Sequence, residues 1–231
     1  MELAPLIDAA PLYASGLATT LQLLVAALAF GLALALPLGV ARASSHAWWS
    51  WPVAAYTFVI RGTPMLVQLF IIYYGLAQFD AIRESVLWIG LESAWFCAVL
   101  ALALNTAAYT AEIVAGAIRA TPAGEIEAAY SLGMTRQQAF VRIVLPSALK
   151  RALPAYSNEV IMMLHATSLA SLVTLVDLTG AARDTYSRTY LPFEAYVTAG
   201  LVYLGLTLLL VRLFRRAEAR WLQHLAARPA T

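Results

Sequence analysis

The chain has 231 residues, 61% of them hydrophobic and 12% charged, with a formal net charge of +2 and a mean hydropathy of +0.73. A soluble domain carries about 25% charged residues, so the composition points away from a soluble protein and toward one membrane bundle over residues 1–231. The apolar runs are too continuous for the alternation of a β-barrel, and backbone groups in lipid must be satisfied within each segment, so the expected fold is all-α.

A span needs about 20 mostly apolar residues. Five segments qualify in chain order: Leu17–Val40, Ala54–Gln78, Ala94–Ala117, Ala155–Val176 and Phe193–Leu213. The fourth is the least apolar, since it carries Asn158, Glu159 and His165. Five crossings put the termini on opposite sides. With the N-terminus outside, Arg42, Arg119, Arg136, Arg142, Lys150, Arg151, Arg212, Arg215, Arg216, Arg220 and Arg228 face the cytoplasm. Only Arg83, Arg183 and Arg188 face out, and Arg61 sits near a boundary. That asymmetry is the positive-inside pattern. The net charge therefore reads as topology and not as a nucleic-acid surface, and the basic tail with Trp221 reads as a membrane anchor. Glu2 and Asp8 leave no cationic n-region, so no cleaved signal peptide is expected. The single cysteine, Cys97, excludes an internal disulfide and argues against a cysteine metal site.

Within the second segment, Arg61-Gly62-Thr63-Pro64 interrupts the apolar run. Proline moves the preceding residue away from helix, which predicts a kink or a helix start, with a gate-side role and a plain break both open.

Charged groups at membrane depth are functional candidates. The third segment places Asn105, Tyr109, Glu112 and Gly116 on one stripe; the fourth places Asn158, Met162, His165 and Leu169 on another, with Glu159 at its flank. Both stripes are candidate walls of a path. Glu112 and Glu159 suit a cationic side chain or an α-amino group. Glu112 is equally suited to pairing with a basic residue near the cytoplasmic interface, Glu159 to a helix-end or loop contact, and His165 to a satisfied place in the bundle. Gln68 is a weaker candidate.

Residues 118–151 form the longest charged stretch between spans and read as two short helices with a hinge. Thr121 is expected to cap the first, with Pro122 at the first helical position and Gly133 at its left-handed end. Thr135-Arg136-Gln137-Gln138 predicts a capping box, and Pro146 is expected to close the second helix. Ile126, Ala129 and Tyr130 share one face, as do Phe140, Ile143 and Val144. Such a stiff knob suits either the transmission of a push or plain packing under the bundle. The chain has no G-x-x-x-x-G-K-[ST] phosphate loop and no H-E-x-x-H metal motif. Neither an ATPase nor a metalloenzyme is expected.

The order Glu127-Ala128-Ala129-x-x-x-Gly133, nine residues, then Ile143-x-Leu145-Pro146 resembles the docking loop of bacterial ATP-binding-cassette importer permeases. Arg61-Gly62-Thr63-Pro64, the run Asn105–Glu112, Gly124–Ala129 and Leu153–Val160 look like the polar amino-acid permeases of that class. His165-Ala166-Thr167-Ser168-Leu169 and Phe214-Arg215-Arg216-Ala217-Glu218 look like the M-type subunits of histidine/lysine/arginine/ornithine and arginine/ornithine systems, with octopine and nopaline permeases as relatives. The resemblance covers essentially the whole chain. It implies a multi-pass inner-membrane permease without a cofactor or metal of its own, moving basic amino acids by alternating access. It also implies a homologous Q-type permease partner, two ATPase subunits that bind ATP and magnesium, and a periplasmic amino-acid-binding protein. The ATPase would take up a segment built on Glu127, Ala128, Ala129, Gly133, Ile143, Leu145 and Pro146. One departure stands out: many of these permeases have Lys-Asp where this chain has His165-Ala166, which implies an asymmetric site with the partner permease holding the main polar contacts. The remaining alternatives are an opine or other polar solute for the same machine, or a channel or carrier that works without ATP.

Overall fold

The computed structural model describes residues 7–222, so Glu2, His224 and Arg228 lie outside the described residues. Every regular element in that range is helical. Helix α1 (Ala10–Ala43) leads to α2 (Ala47–Arg61) and α3 (Met65–Phe70), which runs on through wide and tight turns to Gln78. Two four-residue helices, α4 (Asp80–Arg83) and α5 (Trp88–Leu91), precede the central α6 (Ala94–Arg119). Then come α7 (Ala123–Ser131), α8 (Arg136–Ala139), α9 (Leu145–Ala166), α10 (Leu178–Thr189) and α11 (Pro192–Trp221).

Helices α1, α6 and α11 are each long and apolar enough to cross a membrane, and two bent pairs raise the number of candidate spans to five. These five correspond to the five apolar segments of the sequence, with two corrections of shape. The second segment is not one helix: it starts at Ala47 and breaks at Gly62–Pro64, and its arms Ala47–Arg61 and Met65–Gln78 are bent by 100°. Pro64 has no N–H and sits as the N-cap of α3 in extended conformation, so the α-helical ladder cannot cross it. The fourth segment also bends, by 48°, between Arg136–Val173 and Leu178–Thr189. Its α-helix stops at Ala166, tightens into a 3₁₀ turn over Thr167–Val173 and ends at Thr174, which has a φ of +68°. Asp177 then caps α10, its carboxylate accepting from the backbone N–H groups of Gly180 at 2.9 Å and Thr179 at 3.2 Å. The last segment outruns its expected end: α11 carries the basic residues Arg212–Arg220 as a continuous helix to Trp221.

The core sits where α1 crosses α6, the most extensive contact in the molecule. Small residues make that approach possible. A Cβ on Gly31 would collide with the Thr106 methyl, and one on Gly39 would lie 2.8 Å from Val114. Between lipid-embedded helices there is no hydrophobic drive to associate, so such close van der Waals packing carries the assembly. Leu23, Leu24 and Ala27 of α1 bury with Ala98, Ala101 and Leu102 of α6 and Met163 and Leu164 of α9. By contrast α11 is largely open along its length, exposing Leu201, Leu204, Leu208 and Leu209.

Candidate functional site

The charged loop folds as a helix, a hinge and a second helix, in the order the residues dictate. Helix α7 ends at Gly133, whose φ is +76°. The Gly133 N–H donates to Tyr130 O at 2.9 Å and the Met134 N–H to Ala129 O at 3.1 Å, the paired bonds of a Schellman ending. Two residues on, Thr135 Oγ1 accepts from the Gln138 N–H at 3.3 Å while Gln138 Oε1 accepts from the Thr135 N–H at 2.9 Å. The capping box is therefore formed.

Two local expectations fail. Thr121 does not cap α7, whose N-cap is Pro122 without a side-chain bond; the Thr121 hydroxyl instead accepts from Arg151 Nη2 at 2.7 Å. Nor does Pro146 close a helix. The chain passes from α8 through a π-helical turn, Phe140–Val144, straight into α9, where Pro146 stands in the first turn. Because the helix runs on through that turn, Pro146 has no N–H to give back to it and its ring crowds the carbonyl four residues earlier. The widened turn takes up the misfit just ahead of it.

Burial divides the residues expected to form a docking loop. Glu127, Ala128, Gly133 and Pro146 are exposed, Ile143 and Leu145 are half-buried, and Ala129 is buried. Tyr130 and Leu132 are exposed beside them. The outer face of α7 is thus free, and its inner face is fixed to the rest of the chain.

The stripe on α6 faces the elbow between α2 and α3. Asn105 Nδ2 donates to Gln68 Oε1 at 3.0 Å. Gln68 Nε2 in turn donates to Ile60 O at 2.6 Å and Thr63 O at 3.1 Å, satisfying carbonyls that the helix break leaves open. The Arg61 guanidinium lies 5.1 Å over the Tyr109 ring, a cation–π distance. Glu112 Oε1 accepts from Arg42 Nε at 2.7 Å and from the Thr57 hydroxyl at 2.7 Å, and its Oε2 lies 3.7 Å from Arg119. Three consecutive stripe positions therefore seat the broken helix. The pairing alternative for Glu112 is the one observed.

The stripe on α9 is different. Asn158, Met162 and His165 are exposed on the surface of the chain, and His165 Nε2 is 3.2 Å from the Thr207 hydroxyl of α11. Glu159, at the flank, is 7% exposed. No hydrogen bond or ion pair holds it among the described residues; it lies beside Thr106 and within the field of Arg61, and the Thr106 hydroxyl is itself buried without a partner. A cavity of about 710 Å³ opens alongside the elbow, lined by Arg42, Thr57, Arg61 and Glu112 with Trp51 and Phe58. A second, of about 330 Å³, lies between His165, Ser168, Thr179, Tyr196 and Tyr203. No group of three or more His, Cys, Asp or Glu side chains suited to a metal occurs among the described residues.

Sequence reasoning missed the anchoring roles of Arg42, Thr57 and Gln68. Their partners lie 70, 55 and 37 residues away, and only the mid-span polarity of Gln68 gave a signal.

The family described as binding-protein-dependent transport system inner membrane component matches residues 27–223. The chain is 47% identical over 215 residues to the histidine/lysine/arginine/ornithine transport system permease protein HisM of Salmonella typhimurium, covering 93% of this chain and 92% of that one. It is 48% identical over 204 residues to the octopine transport system permease protein OccM of Rhizobium meliloti, covering 88% and 83%. It is 44% identical over 230 residues to the nopaline transport system permease protein NocM of Agrobacterium fabrum, covering 99% and 95%. A crystal structure of an amino acid ABC transporter with histidines superposes with a TM-score of 0.85 at 36% identity, over 95% of this chain and 99% of that one.

Proposed function

The chain belongs to the binding-protein-dependent transport system inner membrane components, and from that premise we propose that its cargo is a basic amino acid: arginine, ornithine, histidine or lysine. It is a multi-pass inner-membrane permease subunit of an ATP-binding-cassette importer, a transport component and not a catalyst, and ATP is bound by the partner ATPase. The basic-amino-acid reading is supported by the near-full-length likeness to the histidine/lysine/arginine/ornithine permease. An opine is the second reading, favoured by comparable identity to the octopine and nopaline permeases.

The observation that carries the mechanism is α7: a short helix with Glu127 and Ala128 on its open side, closed by Gly133 and followed at once by a capped turn. In this reading Glu127, Ala128 and Gly133 enter the ATPase, and Ile143, Leu145 and Pro146 form the stem behind them. Ala129 is the buried seat of the helix. The N-terminus lies on the periplasmic side, and the ends of α1 and α6 that carry Arg42 and Arg119, with the arginine-rich end of α11, lie on the cytoplasmic side. A homologous Q-type permease completes the pathway against the exposed α9 stripe of Asn158, Met162 and His165, with Asn105, Tyr109, Glu112 and Glu159 behind it. Closure of two ATPase subunits tilts the bundles around a midplane site and exchanges access from one side to the other. A periplasmic binding protein delivers the amino acid.

The test is ATP-dependent uptake of labelled arginine into proteoliposomes holding this chain, its Q-type partner and the ATPase, with the binding protein outside. Competition by ornithine, histidine and lysine and none by glutamate is the expected result. Competition by octopine alone would move the cargo to the opine class.

A further inference from the structure

Helix α7 is joined to α9 through the chain itself, by way of Gly133, α8 and the π-helical turn. A lever held at one end by a glycine swivels. Its other end needs a second attachment if a push on α7 is to reach α9, and Arg151 supplies one. From the second turn of α9, Arg151 Nη2 donates to Thr121 Oγ1 at 2.7 Å and Nη1 to Ser147 Oγ at 2.6 Å. Nη1 also lies 3.4 Å from Glu125 Oε1 in the first turn of α7. The Arg151 side chain is 15% exposed, so these bonds are shielded from water and form a fixed fork, the geometry that suits arginine and not lysine. Close by, Ala117 of α6 packs on Ala148 and Ala152 of α9, small residues that bring the helix end bearing Thr121 within reach.

We propose that Arg151 is a positioning residue that locks the near end of the docking helix to α9, so that α7 and α9 move as one body. The proposal rests on the docking role given to α7 above. Helix α9 is continuous from Leu145 to Ala166. A displacement at Arg151 therefore reaches Asn158 and Met162, about 10 to 17 Å further along at 1.5 Å per residue. Without Arg151, α7 follows the ATPase while α9 lags, because the Gly133 hinge absorbs the movement.

Thiol labelling of Met162→Cys in the complete reconstituted transporter reads this directly and needs no knowledge of the cargo. Met162 is 58% exposed and the native Cys97 is fully buried, so the background is low. The labelling rate is compared with and without ATP and vanadate, while Ala128→Cys in a parallel sample reports cross-linking to the ATPase. With Arg151 present, nucleotide changes the Met162→Cys rate. In Arg151→Ala the Ala128→Cys cross-link persists and the nucleotide-dependent change shrinks about tenfold, the scale of a lost charge-assisted hydrogen bond. Arg151→Lys restores part of it. Should Arg151→Ala fail to assemble, Thr121→Val with Glu125→Ala keeps the arginine, removes both of its partners at the near end of α7 and reads the same loss. An undiminished nucleotide response in either variant, with the cross-link intact, overturns the strut. Absence of the cross-link with Arg151 present overturns the docking role itself.

Discussion

Two carboxylates stand out in the membrane-embedded part of this chain, and their surroundings are opposite. Glu112 is gripped by Arg42 and Thr57, both at 2.7 Å, with Arg119 at 3.7 Å. It ties the end of α1 and the middle of α2 to α6. Glu159 is buried and held by no ion pair among the described residues. From sequence both were candidates for meeting a cationic solute, each with a structural alternative. The structure separates them: a carboxylate whose charge is already matched holds helices together, and one without an ion pair, in the field of an Arg61 that is seated over Tyr109, is available for a different partner. Proximity to the membrane interior does not by itself make an acidic group a ligand.

The largest effect that would sharpen this contrast is on stability. Glu112→Ala leaves Arg42, whose side chain is 24% exposed, without its counter-charge, and breaking such a half-shielded pair costs about 2 kcal/mol, between the exposed and the buried cases. Thermal unfolding of the detergent-solubilised complex should show a clear drop in Tm, and an unchanged Tm would reduce Glu112 to a surface group. Arg119→Ala removes only the longer contact, from a side chain that is 49% exposed. Exposed pairs of this kind contribute about 0.5 kcal/mol or less, so its Tm should stay close to that of the native protein. Glu159→Gln should shift Tm least of all, because no observed bond is lost, yet uptake of labelled arginine should fall. Normal uptake by Glu159→Gln would erase the functional half of the comparison.

Much of the fold was legible because lipid leaves the backbone few options: five apolar segments marked the places of the three long helices and two bent pairs. The shape of the bent pairs was less legible. Pro64 announced a break, but the 100° angle depends on Gln68 filling the gap and on Asn105 receiving it, a contact across 37 residues. Local chemistry was read well where partners are three residues apart, as in the Thr135–Gln138 box, and at Gly133, where only the backbone conformation matters. It was misread at Thr121 and Pro146. Thr121 looks like a cap until Arg151 arrives from 30 residues away, and Pro146 looks like a terminator because a π-helical turn leaves no signature in one sequence. The candidate path suffered in the same way: helical spacing grouped Asn105, Tyr109 and Glu112 correctly on one face, but could not say that Gln68, Arg61, Thr57 and Arg42 occupy it.

The account depends most on α7 being the part that the ATPase holds, and co-purification after a single change at its end tests that directly. Gly133 has a φ of +76° with open space around it, so Gly133→Asp puts a strained, charged side chain at the docking face without disturbing the core. The variant should remain in the membrane in native amount and lose the ATPase on purification. Retention of the ATPase at the native ratio would contradict the docking role of α7.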